Sequence, residues 1–263
     1  MSDTPHVVMR GVVRRYEGPP PVHALGPIDL DLARGEFFSV VGPSGCGKST
    51  LLDVLCGLAS PTSGTVSFEG KELHGEVPDG IGVVFQEDAS LAWLTVRQNI
   101  AFGLRMSILP QREIDERVDH AIAFMGLAQF ADHYPAQLSG GMRQRVCIAR
   151  TLVLRPRLIL LDEPFGALDQ QTRLLMGDEL LRLWRETGAT VLLITHALDE
   201  AAVLSDRVGV ISARPGRFID LVETGWPRER DSRIVSDPNF GALTSRLWLS
   251  LREESMKTLG RVA

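Results

Sequence analysis

Short apolar runs alternate with longer amphipathic stretches along this chain. "FFSVVG" (37–42), "LILLD" (158–162), "TVLLIT" (190–195) and "RVGVIS" (207–212) are continuous apolar runs bounded by polar or glycine-rich segments. Runs of that kind predict buried strands of a mostly parallel sheet covered on both faces. "HVVMRGVVRRY" (6–16) and "GTVSFEG" (64–70) alternate instead, as edge or antiparallel strands do. A helix is predicted from about Lys48 to Leu58. Between about Ala89 and Leu152 the period becomes helical. Ile114, Val118, Ile122 and Met125 share one face, and Met142, Val146, Ala149 and Val153 another. This reads as a helical insertion between a strand ending near Phe85 and the strand at 158, with most of these apolar positions in the core. "ARPGRF" after Ser212 is a turn. Phe240, Leu243, Leu247 and Leu251 then line one face of a C-terminal helix, with Asp237 as cap and Pro238 in its first turn.

Composition narrows the class. The 263 residues are 44% hydrophobic, which suits one large α/β domain with an insertion, or two small domains. Net charge is −5 and no basic stripe stands out, so nucleic acid is not an expected partner. The mixed run "RERDSR" (228–233) reads as a solvated loop, and "GPPPVH" (18–23) as a Pro-rich one. Cys46, Cys56 and Cys147 form no CxxC pair, which argues against a disulfide framework and for a reducing compartment. Cys46, at a helix start, is either a reactive thiol or a tolerated small residue. "MSDTPHVVMR" lacks the apolar core of a signal peptide, and no run approaches the roughly 18 apolar residues of a membrane span. Any membrane role is therefore expected through a partner.

The candidate chemistry starts at "GPSGCGKST" (42–50), a full match to GxxxxGK[ST] between a predicted strand and helix. Gly42, Gly45 and Gly47 let backbone N–H groups turn inward around phosphates, and Pro43, Ser44 and Cys46 complete the cradle. Lys48 reaches the β- and γ-phosphates. Ser49 can place its hydroxyl on Mg²⁺, with Thr50 nearer the α-phosphate. "LILLDEP" (158–164) ends a buried strand in Asp162, where a lone carboxylate is costly unless paired or near a metal. Alone, "DE" would open a surface turn. Beside a phosphate loop it marks the Mg²⁺ position, with Glu163 next to it to polarise an attacking water. "LDE" at 198–200 reads as the start of an amphipathic helix. "QLSGGMRQRVCIAR" (137–150) poses a separate question, because it offers a second glycine pair leading into a helix when one nucleotide needs one cradle.

Phosphate loop, "LSGGMRQR", "LILLDEP", "ALD" and "LITH", in that order, resemble the ATP-binding subunits of ABC transporters over residues 6–212. "GVVFQ", "NIAFGL", "DEPFGALD", "LLITHALDEA", "RPGR" and "SDPNF" extend the likeness toward importer ATPases for nitrate, sulfonate, taurine and bicarbonate. The resemblance implies a P-loop NTPase (RecA-like) fold, with an ATPase domain over 1–212, a helical signature subdomain over 89–152 and an extension over 213–263. It implies ATP and Mg²⁺ as ligands, and a homodimer in which Ser139, Gly140 and Gly141 contact the nucleotide held by the opposite subunit. It implies that Tyr16 stacks on adenine and that Gln86 senses Mg²⁺ and water. His196 would hold the γ-phosphate and orient Glu163, and Asp169 would cross the dimer interface. It implies an integral-membrane permease and an extracytoplasmic solute-binding protein as further components, with this subunit peripheral at the cytoplasmic face of the inner membrane. "LAWLTV" (91–96) departs from the group's Leu-Pro-Trp-Arg-like run, and leaves Trp93 and Phe102 as either permease contacts or core. A soluble ABC ATPase of a cytosolic assembly machine and a P-loop kinase are the alternatives. The second would need neither the signature nor His196.

Overall fold

The computed structural model describes residues 5–258 apart from 87, 88 and 167, so the outermost ends of the two predicted segments lie outside the described residues. The chain opens with β1 (Val7–Tyr16) and β2 (Val22–Leu32), and β3 (Phe37–Val41) then runs into helix α1 (Lys48–Leu55). β4 (Ser63–Phe68), β5 (Lys71–Glu72) and β6 (Ile81–Val84) follow. Three helices come next: α2 (Val96–Ala101), α3 (Gln111–Phe124) and α4 (Gly140–Leu152). β7 (Leu158–Asp162), α5 (Gln170–Thr187), β8 (Thr190–Thr195), α6 (Leu198–Leu204), β9 (Arg207–Ile211), β10 (Phe218–Glu223) and α7 (Pro238–Thr258) complete it.

Six strands form the central sheet in the order β10-β9-β3-β8-β7-β6, all parallel except the edge strand β10. Every residue of β3, β7 and β8 is buried. Their side chains alternate between two cores. Ile159, Leu161, Val191 and Leu193 face the helical insertion, α5, α6 and α7, whereas Leu158, Leu160, Leu192 and Ile194 face α1 and the second sheet. Burial on both faces is why these strands read as unbroken apolar runs.

The alternating segments form a separate four-stranded antiparallel sheet, β2-β1-β4-β5, and not an edge of the parallel one. β2 and β10 lie outside the predicted strands. In β2, Ile28, Leu30 and Leu32 are buried and Asp29 and Asp31 exposed, and the strand starts at Val22, inside the segment read as a Pro-rich loop. The predicted α1 stops three residues early, at Leu55.

The helical insertion is built as the spacing implied. Ile114, Val118, Ile122 and Met125 are buried, as are Val146, Ala149 and Val153, while Met142 is half-buried. In α7, Phe240, Leu247 and Leu251 are buried and Leu243 packs beside them. Asp237 accepts from the Asn239 backbone N–H at 2.8 Å where the helix begins. β10 pairs with β9 and α7 packs on α6, so the segment after 212 completes the same core.

The run "RERDSR" is not simply solvated. The Arg230 side chain has no exposed surface and pairs with Asp206 at 2.7 Å. It also donates to the Leu204 carbonyl at 2.6 Å and lies 4.8 Å from the centroid of the buried Trp184 ring. Leu204 is the last residue of α6, so the guanidinium caps that helix's free carbonyl end. A mixed-charge run gives no hint of this, because the aromatic face and the carbonyl come from elsewhere in the chain.

Candidate nucleotide-binding and catalytic site

β3 delivers the phosphate loop at the middle of the parallel sheet, and α1 begins at Lys48. The sharp turns need glycine. Gly45 and Gly47 have φ of +72° and +111°, and a Cβ on Gly47 would lie 2.5 Å from the Ala24 carbonyl oxygen. A Cβ on Gly42 would lie 2.2 Å from Ile211 Cγ2. Lys48 is buried and its Nζ donates to the carbonyls of Gly42 and Pro43, at 2.9 and 3.0 Å. The ammonium thus spans the loop from inside.

Cys46 is buried, and burial pushes its thiol pKa up, against the opposing pull of Lys48. That corrects the reactive-thiol alternative. The helix start does not outweigh desolvation, and the residue is a packed small side chain.

Asp162 ends β7 and is buried. Burial raises its pKa, with a hydrogen bond from Ser49 opposing and the neighbouring charges of Glu163 and Asp53 adding to the rise. A buried acid in acidic company, touching the hydroxyl at the start of α1, is a site that a divalent cation would relieve. Ser49 and Asp162 therefore fit Mg²⁺, which takes few protein donors and completes its shell from phosphates and water.

Glu163 sits at φ +47°, unusual for a residue with a side chain, with its N–H held by the Ile194 carbonyl at 2.9 Å. Its Oε2 meets Gln86 Nε2 at 3.1 Å and His196 Nδ1 at 3.2 Å. Sheet order explains this. β7 lies between β6 and β8, so the residues after those strands flank the one after β7. Gln86 and His196 remain exposed, open to a ligand.

Tyr16 closes β1. Its hydroxyl lies 3.5 Å from Thr50 Oγ1, the Arg14 guanidinium covers the ring at 4.7 Å, and 37% of the residue is exposed. An aromatic face at the edge of the phosphate cradle suits a base.

The remaining predicted residues stand apart. Ser139 is exposed and caps α4, accepting from the Met142 N–H at 3.3 Å. α4 belongs to the insertion that follows β6, and β6 is three strands from β3, about 14 Å across the sheet. A Cβ on Gly141 would lie 2.5 Å from Leu168 Cδ2, so the signature glycines abut the segment leading to Asp169. Asp169 caps α5 through Thr172, which holds its carboxyl below the usual range.

Trp93 and Phe102 are exposed at 71% and 45%, which excludes core packing for both. The buried Asn99 holds the loop that carries Trp93, bonding Leu91 N–H at 2.7 Å and the carbonyls of Leu94 and Thr95 at 2.9 and 3.0 Å.

Sequence reasoning passed over Glu200. α6 does begin at 198, as read, but Glu200 faces inward and is buried. Its Oε2 accepts from the Thr195 hydroxyl, which itself accepts from the Ala197 N–H at 3.0 Å. The backbone on both sides of His196 is fixed by this pair. The only available signal was an acid on what would become the apolar side of a short helix.

A phosphate cradle, a buried acid and a glutamate between two polar residues, all at the carboxyl ends of parallel strands, define a P-loop NTPase. The model for ABC transporters matches residues 25–166, just over half of the chain. The taurine import ATP-binding protein of Roseobacter denitrificans is 47% identical over 89% of this chain and 90% of its own length. The bicarbonate transport ATP-binding protein of Synechococcus elongatus is 45% identical over 88% of this chain, which spans 35% of that longer protein. A dimeric ATP-binding cassette in a post-hydrolysis state with ADP and phosphate is 31% identical, with a TM-score of 0.76 over 84% of this chain and all of that one. The chain belongs to the ABC transporter family, as an ATP-binding subunit whose hydrolysis of ATP is coupled to transport.

Proposed function

We propose that this subunit drives import of a small anion such as nitrate, sulfonate, taurine or bicarbonate, working as a homodimer beneath an integral-membrane permease. The convergence of Gln86 and His196 on Glu163 Oε2 carries the catalytic part. The transport systems named in the two relatives support the solute class.

The phosphates of ATP occupy the loop from Gly42 to Thr50, and the base stacks on Tyr16. Lys48 exchanges its carbonyl partners for phosphate oxygens. Ser49, Asp162 and Gln86 would hold Mg²⁺, which supplies charge neutralisation on the β- and γ-phosphates. Glu163 takes a proton from the water that attacks the γ-phosphorus, and His196 and Gln86 keep its carboxylate aimed. Ser139, Gly140 and Gly141 present a hydroxyl and a helix N-terminus to the γ-phosphate bound by the second copy. Asp169 lies at the same interface, next to Leu168. This arrangement answers why the chain carries two glycine-led helices: one binds nucleotide in cis and the other in trans. Loss of the γ-phosphate removes the trans contact and loosens the dimer.

Among the described residues no helix is long and apolar enough to cross a membrane. The exposed Trp93 and Phe102 on the helical insertion are the proposed permease contacts, which makes the subunit peripheral at the cytoplasmic face. An extracytoplasmic binding protein then selects the solute. A tagged pull-down from detergent-solubilised native membranes tests this. Recovery of a polytopic permease supports it. Recovery of soluble partners alone favours a cytosolic ABC ATPase, with the same chemistry driving another machine.

A further inference from the structure

The turn between β9 and β10 lies against the outside of the phosphate loop. Gly216 N–H donates to the Ala24 carbonyl at 3.1 Å, and its own carbonyl accepts from Gly26 N–H at 2.8 Å. A Cβ on Gly216 would stand 2.3 Å from the Cys46 carbonyl oxygen, so the turn touches the loop backbone directly. Arg214 Nε and Nη2 both donate to the Gly45 carbonyl, at 3.1 and 2.9 Å. On the other side, Glu254 of α7 accepts from the Ala213 N–H at 2.7 Å. Glu254 is buried one turn beyond Leu251, on the face that seats α7 in the core.

We propose that Arg214 and Glu254 form a strap that carries the seating of the C-terminal helix onto the phosphate loop, and are positioning residues for nucleotide. The loop turns its N–H groups inward around phosphate; the Gly42 and Pro43 carbonyls meet Lys48, and the Gly45 carbonyl faces the turn after β9. At Gly45 that carbonyl is taken by a fork of two N–H donors on a cation. Holding it there keeps the cradle shaped before nucleotide arrives, which removes an ordering cost from binding. The guanidinium also adds positive charge behind the cradle; its field reaches Cys46 inside the loop. Glu254 fixes the residue before Arg214, so the fork points where it does because α7 is docked. This gives the segment after Ser212 a role in the ATPase site without contact with ATP.

The inference rests on residues 42–50 being the nucleotide site, which a Lys48→Ala variant tests separately. The strap is tested by titrating full-length protein with ADP calorimetrically, beside the melting temperature of the free protein. Arg214 is exposed, so its replacement leaves the fold intact. Arg214→Ala is expected to raise the Kd for ADP about tenfold, as loss of a charge-assisted hydrogen bond does. Arg214→Lys should recover part of that and Glu254→Gln nearly all of what Glu254→Ala loses, because each keeps one element of the contact. The double alanine variant should bind no more weakly than Arg214→Ala alone, since both act through one path. Hydrolysis should show a raised KM for ATP with kcat at saturation held within about twofold. Wild-type affinity in Arg214→Ala overturns the proposal. So does full multiplication of the two effects, or a fall in kcat at unchanged KM. If Lys48→Ala leaves ADP affinity unmoved, the nucleotide-site reading fails instead.

Discussion

Glu163→Gln separates the charge of the proposed catalytic carboxylate from its shape. In the native side chain one oxygen, Oε2, receives both Gln86 Nε2 at 3.1 Å and His196 Nδ1 at 3.2 Å. A glutamine in this rotamer has one oxygen and one N–H₂ to offer. The oxygen must face the two donors, because the flipped amide would set N–H against N–H. Both contacts therefore survive, and the loop between β7 and α5 keeps its form. What is lost is the negative charge and the capacity to accept a proton from water. General-base catalysis is worth about 10² to 10⁴ in rate, so kcat should fall roughly 10³-fold, or about 4 kcal/mol in barrier. Nucleotide binding, proposed to rest on the cradle from Gly42 to Thr50, should change by no more than a few-fold. Phosphate release at saturating Mg-ATP measures the first quantity and calorimetry the second. Light scattering during an ATP titration reports the third consequence. A chain that binds ATP but cannot discharge its γ-phosphate should accumulate as a dimer, and ADP should not have this effect. A kcat within tenfold of wild type would remove Glu163 from the role of base. A variant that stays monomeric throughout, with ATP demonstrably bound, would refute the trans placement of Ser139.

Ser139→Arg puts a bulky cation where the partner's γ-phosphate should sit. It should bind ATP normally and lose at least about 10² in hydrolysis, the scale set by removing one transition-state donor; normal turnover would sink the signature's assigned role. Trp184→Ala empties a fully buried site beneath Arg228 and Arg230. It should cost about 3–5 kcal/mol and lower Tm by roughly 10 °C in calorimetry, and a shift under 3 °C would show that the core collapses to fill the space. Glu200 has its pKa raised, chiefly by burial, so the folded chain binds that proton more tightly than the unfolded one. Its contribution to stability therefore falls as pH rises from the unfolded value of about 4.3 toward the folded one. Glu200→Gln lacks this titration, and its stability relative to wild type in urea unfolding should improve from pH 5 to pH 8; a constant or opposite difference contradicts the burial argument.

The phosphate loop was fully legible in the sequence because its function is local. Nine consecutive residues, with glycines at 42, 45 and 47, encode the turns, the donors and the helix start together. The buried strands β3, β7, β8 and β9 were legible for a similar reason, since burial on both faces leaves an unbroken apolar run. The strand β2 was not, although "IDLDL" alternates cleanly, because Gly26 and Pro27 interrupt the apolar pattern inside it. Glu163 could be read beside Asp162 and the phosphate loop, but Gln86 and His196 could be assigned roles only by resemblance. Gln86 and Glu163 are 77 residues apart, and nothing in either segment says that they touch. Contact follows from strand order, with β7 between β6 and β8, and strand order is a property of the assembled sheet.

The same distinction covers the charged groups that departed from expectation. Arg230 sits in a mixed-charge run read as solvated and Glu200 at the start of an amphipathic helix, yet both are buried. Their partners, the end of α6 and Trp184 for one and Thr195 for the other, are supplied by packing. Sequence alone determined the buried parallel strands, the faces of the helical insertion and the glycine-rich loop with the turns to cradle phosphate. These depend on neighbours a few residues apart. Tertiary structure decided which charges are buried, which carboxylate is flanked by a glutamine and a histidine, and which arginine reaches the back of the cradle. Those depend on groups that only folding brings within hydrogen-bonding distance, where removal from water makes each pairing count.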